Sequence, residues 1–159
     1  MNRGDLYKRV LTSAVGFRAV LWSKLPLAAF AGLRVARLDE TGAEVRLPAG
    51  WKTQNPFGST YFAAQAMAAE MSTGAPALWF IEQSGEKVSS LVTAISAKFT
   101  RRATSEARFV FSDGVQMREA IAQAVRTGEP VVYTAKSVGT QRDGTQVAEF
   151  SVEWSFKKK

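Results

Sequence analysis

Histidine and cysteine are both missing from the sequence. Without cysteine there is no disulfide, no zinc–thiolate site and no thiolate nucleophile. The redox compartment stays undecided for the same reason. Without histidine there is no Ser-His-Asp triad, no imidazole metal ligand and no imidazole general base. Acid–base chemistry is therefore left to Asp, Glu, Lys and Tyr. A carboxylate-only metal site would need a dense Asp cluster such as a calcium loop carries. The sequence has none, so no metal is expected. Low-complexity tracts and solenoid-period repeats are absent as well.

Long uncharged apolar runs are also lacking. The most membrane-like stretch, "VLTSAVGFRAVLWSKLPLAAFAGL" (residues 10–33), is interrupted by Arg18 and Lys24. It falls short of the roughly 20 apolar residues that cross a bilayer. It also lacks the uninterrupted core and small-residue cleavage site of a signal peptide. It reads as an amphipathic N-terminal helix followed by a loop. No membrane span is expected, and a cytoplasmic location is.

The 159 residues are 46% hydrophobic, enough to build a core. One domain over residues 1–159 is expected, with residues 1–30 as a helical extension. The formal charge of +7 invites anionic partners. The basic residues are dispersed, however, with runs only at Arg101-Arg102 and Lys157-Lys158-Lys159. That pattern reads as a basic surface, and no nucleic-acid partner is expected.

Along the chain, Asp5 can cap a helix running to about Lys24, and Pro26 ends or bends it. "LRVARLDETGAEVRLP" reads as two strands around a turn, and residues 48–58 as a loop. A helix follows from about Ser59 to Ser72, with Ser59 or Thr60 as N-cap. Gly74 and Pro76 mark a break before another helical turn or two over residues 77–84. Residues 87–100 alternate as a long strand, and 107–112 form another. "DGVQMREAIAQAVRTG" is an amphipathic helix ended by Gly128. Two long strands then meet near Arg142–Gly144, a hairpin-type turn. This order predicts an α+β arrangement, one antiparallel sheet with a helix on one face.

The helix within "NPFGSTYFAAQAMAAEMSTG" is built largely of alanine. Small side chains allow close approach to a curved sheet without loss of helix propensity. Glu70 among the alanines does not fit that purpose. Such a carboxylate reaches solvent, finds a partner or has a raised pKa.

This stretch resembles the PaaI-like acyl-CoA thioesterases of the hotdog fold, and more closely the uncharacterised bacterial domain-of-unknown-function branch of that superfamily. In the family, a loop Asn and a Gly precede a His-Gly-Gly entering the helix. An Asp or Glu follows nine residues after the His. Here the Asn is Asn55, the Gly is Gly58, and Glu70 takes the acidic position. Tyr61, Phe62 and Ala63 stand where His-Gly-Gly would be. The resemblance implies a long central helix wrapped by an antiparallel sheet of about six strands, with an added N-terminal helix.

It also implies a homodimer or tetramer with two sites at the subunit interface. Geometry points the same way. Tyr61 and Glu70 are nine residues apart, roughly half a turn out of phase, so they leave opposite faces of the helix. Two helices side by side could bring them together.

The implied activity is hydrolysis of an acyl-CoA thioester. Glu70 acts as general base or nucleophile, Asn55 orients the thioester or water, and Tyr61 donates a hydrogen bond in place of His. Backbone N–H groups near Tyr61 and Phe62 receive the carbonyl oxygen. Gly58, Ser59 and a helper hydroxyl, Ser89 or Ser90, contact the substrate. Arg101 and Arg102, with Lys98, meet the phosphates of coenzyme A, which enters only as part of the substrate and not as a cofactor. The alternative is a non-catalytic binder of acyl or other apolar ligands. A weaker one, from charge alone, is a nucleic-acid or membrane-surface adaptor.

Overall fold

The computed structural model describes residues 3–159, and at residues 3 and 14 the backbone alone. The first two residues of the expected N-terminal extension lie outside it. Three short helices open the chain: α1 (Arg3–Thr12), α2 (Ala14–Lys24) and α3 (Pro26–Ala31). A hairpin follows, β1 (Arg34–Asp39) and β2 (Gly42–Leu47), and then the central helix α4 (Phe62–Ser84). After it come β3 (Val88–Phe99), β4 (Ala107–Phe111), α5 (Gly114–Thr127), β5 (Val131–Gln141) and β6 (Gln146–Lys158).

The expected single N-terminal helix is instead two, and a third forms in the expected loop. Ser13 breaks it, its hydroxyl accepting from the N–H of Gly16 at 3.3 Å as an N-cap. Asp5 sits in the first turn of α1 rather than ahead of it. Pro26 opens α3, where its missing N–H costs nothing, so most of the expected loop is helical.

The six strands form one antiparallel sheet in the order β1-β2-β4-β5-β6-β3. It wraps α4, giving the hotdog architecture with N-terminal helices added. The β1–β2 turn is closed by Asp39, whose carboxylate accepts from the N–H of Thr41 at 2.9 Å. The β5–β6 turn is closed likewise by Asp143 and the N–H of Thr145, also at 2.9 Å.

α4 does not break at Gly74 or Pro76; it runs unbroken for 23 residues. A proline inside a helix costs about 3 kcal/mol. Here every residue from Met71 to Ala77 is buried, so packing outweighs propensity. The inward side chains are small, as close approach requires. Two polar ties fix the helix on the sheet. The Ser72 and Ser137 hydroxyls meet at 2.8 Å, and the Trp154 indole N–H donates to Thr73 Oγ1 at 3.0 Å. Below α4 the core is aromatic, with Phe109, Phe111, Phe150 and Phe156 almost wholly buried.

α1 packs on α4 and α2 packs on α1, with Leu11, Phe17 and Leu21 buried. The Lys8 ammonium stands 4.7 Å from the Trp79 ring centre. At the far edge of the sheet, β3 pairs with β6 alone among the described strands. Its other side carries free backbone groups over 12 residues. Leu91, Ile95 and Phe99 on this strand are 63%, 48% and 50% exposed. No helix among the described residues is long and apolar enough to cross a membrane.

Candidate active site

Two clefts flank α4. The first, of about 610 Å³, lies at the start of the helix. It brings together Asn55, Ser59, Tyr61, Phe62, Arg101 and Arg102.

The loop before α4 is organised by Asn55. Its side-chain carbonyl accepts from the N–H of Phe57 at 3.0 Å and of Ser59 at 3.2 Å. Its amide donates to the Ser59 hydroxyl at 3.1 Å. Asn55 is thus committed to the loop rather than free for a ligand. Ser59 closes that loop and does not cap the helix. The N-cap is Tyr61, with no side-chain cap bond. Gly58 serves the same turn through φ +72°, a left-handed conformation that a side chain resists. It lines a smaller neighbouring cleft of about 240 Å³ and not the main one.

One expected oxyanion donor is corrected. The backbone N–H of Tyr61 donates to the carbonyl of Thr53 at 2.7 Å and is not available. The N–H groups of Phe62 and Ala63 follow in the first turn, where no intrahelical acceptor exists. Among the described residues nothing accepts from them. These two are the donors at the helix start. The Tyr61 ring stands half exposed beside Phe62, centroids 4.8 Å apart.

Two further residues line this cleft: Gln65, unmarked in the sequence, and Thr60, expected there only as an N-cap candidate. Gln65 and Thr60 are only 5% and 6% exposed. The Gln65 amide donates to the Thr60 carbonyl at 3.2 Å. Gln65 Oε1 and Thr60 Oγ1 have no partner among the described residues. The signal for Gln65 was the one that marked Glu70, a polar side chain in a run of alanines.

The second cleft, of about 500 Å³, lies between α2 and the middle of α4. Glu70 opens into it, and burial pushes the carboxyl pKa above its usual 4.5. Gly74, one turn on, leaves space for it. A Cβ on Gly74 would stand 3.1 Å from Glu70 Oε1 and 3.4 Å from the Trp154 ring. Ser90 lines this pocket, whereas Ser89 is exposed and outside it. Lys98 is on β3 opposite Glu149 and lines neither cleft. No three acidic groups among the described residues gather as metal ligands would.

No described residue is shared by the two clefts. Tyr61 and Glu70 therefore stay apart within one chain, as their half-turn phase requires. What the chain offers is two half-sites: free N–H groups with a basic rim at one, and a carboxyl of raised pKa in apolar surroundings at the other.

Solved structures of similar fold are numerous. A Pseudomonas aeruginosa protein of unknown function, described as a "Probable Thioesterase", is 22% identical with a TM-score of 0.72, over 98% of this chain and 95% of that one. A Chlorobaculum tepidum protein of unknown function is 12% identical with a TM-score of 0.79, over 99% and 98%. A Haemophilus influenzae thioesterase is 13% identical with a TM-score of 0.65, over 92% and 91%. At these identities the likeness is one of fold. No curated protein matches the sequence. The profile of the family described as "Domain of unknown function (DUF4442)" matches residues 14–156. The chain thus belongs to that family, and its fold is the hotdog fold.

Proposed function

We propose that the protein hydrolyses acyl-CoA thioesters at two equivalent sites, each shared between the protomers of a homodimer. The observation that carries this reading is the separation of the half-sites into two clefts, one at the start of α4 and one at its middle. Neither is complete alone. Two α4 helices lying antiparallel set the Glu70 of one chain against the helix start of the other. The free edge of β3, with its exposed Leu91, Ile95 and Phe99, supports such pairing. An uncovered strand this long and apolar is otherwise a liability.

In the proposed reaction the thioester carbonyl oxygen lies against the N–H groups of Phe62 and Ala63, which stabilise the negative charge formed there. A water attacks the carbonyl carbon, and its proton passes to the partner's Glu70. The tetrahedral intermediate collapses, the carbon–sulfur bond breaks, and the thiolate takes the proton from Glu70. A raised pKa suits this shuttling, because a base works best when its pKa approaches the working pH. The Tyr61 phenol donates to the thioester, Ser90 stands beside Glu70, and Asn55 acts by holding the loop. Arg101 and Arg102 meet the phosphates of coenzyme A.

The test is turnover by the purified protein on acyl-CoAs of graded chain length, with Glu70→Gln alongside. Loss of a general base lowers the rate by about 10²–10⁴. No turnover on any member, or equal turnover by the variant, ends the hydrolase reading. Light scattering should give a dimer, and a monomer would contradict the shared site. The second reading, a non-catalytic acyl binder, draws support from the engaged Tyr61 N–H, which leaves fewer oxyanion donors. Thermal stabilisation by acyl-CoA without turnover would favour it.

A further inference from the structure

We propose that the pocket between α2 and α4 receives the hydrocarbon chain of the acyl group, with the N-terminal helices setting how long that chain can be. This rests on the thioester reading of Glu70, because it places the chain next to that carboxyl.

The pocket's walls carry the argument. From α2 come Phe17, Val20 and Leu21, and from α4 come Met71, Ala75 and Leu78. The α2 side supplies the outer wall, so a sheet and central helix alone would leave this face open. Among the described residues the titratable groups lining it are Glu70, Tyr7 and Lys24. Burial, with the Glu82 carboxylate nearby, pushes the Tyr7 phenol up to about 12 and keeps it neutral. The other polar lining residues are Ser23 and Ser90. A hydroxylated ring or a second carboxylate would lose water here and find few partners. An unsubstituted hydrocarbon loses nothing. Its size, about 500 Å³, suits a flexible chain rather than an acetyl group alone.

Alkyl-CoA thioethers test this without any chemistry, because they cannot be hydrolysed. Their Kd, measured by calorimetry on the full chain, should fall about fourfold per added methylene until the pocket is full. Ala75→Phe fills the pocket from α4, and its plateau should come at a shorter chain than in the wild type. Leu78→Trp, at a half-exposed position that tolerates bulk, should shift the plateau the same way should Ala75→Phe misfold. Affinity independent of chain length, or a plateau that neither folded variant moves, overturns the proposal. Chain-dependent binding of the thioethers with no turnover of the matching thioesters upholds the pocket and sinks only the hydrolase reading.

Discussion

At the start of α4 the backbone is held by polar contacts. Asn55 bonds the loop to itself, Thr53 takes the Tyr61 N–H, and the Ala103 carbonyl takes the Thr60 N–H at 2.7 Å. About two and a half turns further on, the surroundings of Glu70 are apolar packing, with a glycine making room. One end aims donors by fixing backbone, whereas the other tunes a carboxyl by excluding water. The two regions should therefore fail differently when altered. Polar changes at the first should loosen structure and binding together. Changes at the second should alter chemistry with little loss of stability.

Glu70→Gln is the sharpest way to break that contrast. With turnover lost by about 10²–10⁴, the folded state should be no weaker at neutral pH. The sign follows from the raised pKa. The native state holds the Glu70 proton more tightly than the unfolded chain does. Its contribution is present in full below pH 4.5 and is lost as pH rises through the higher native value. The melting temperature of the wild type should therefore fall relative to the Gln variant over that interval. A parallel pH dependence in both proteins would contradict a desolvated Glu70.

Asn55→Ala should do the reverse. Four bonds to one side chain vanish, at a cost of about 1–3 kcal/mol in urea unfolding. KM for acyl-CoA should rise with it, while the pH midpoint of the rate stays put. A shifted midpoint would mean that Asn55 faces Glu70 and that the halves are not independent. Smaller still is the effect of replacing Arg101 and Arg102 by Gln. For exposed charges the loss is about fivefold in KM, and it should shrink with added salt. A thioester without phosphates should be indifferent to the change.

Much of this arrangement was legible in the residues. Alternation gave the strands, and the turn residues at Asp39–Gly42 and Arg142–Gly144 marked the hairpins. Glu70 stood out because a carboxylate among alanines has no structural purpose. The break expected at Pro76 failed because local propensity does not register a helix turn buried on every side. Ser13, too, was hidden inside an apolar stretch that looked continuous. The engagement of the Tyr61 N–H depends on Thr53, across a loop whose path the sequence does not specify. Gln65 carried the same signal as Glu70 and went unread, because an amide suggests no chemistry by itself.

Gly74 has a consequence for how this protein could be improved. In most helices a mid-helix glycine is the first position an engineer would change, since alanine gains roughly 0.5–1 kcal/mol. Here the added methyl would crowd the Glu70 carboxylate and the Trp154 ring. Gly74→Ala should leave the melting temperature nearly unchanged and move the pH midpoint of the rate instead. The middle of α4 is thus a place where thermal robustness and reactivity draw on the same few ångströms, and a consensus-minded redesign would gain one only by giving up the other.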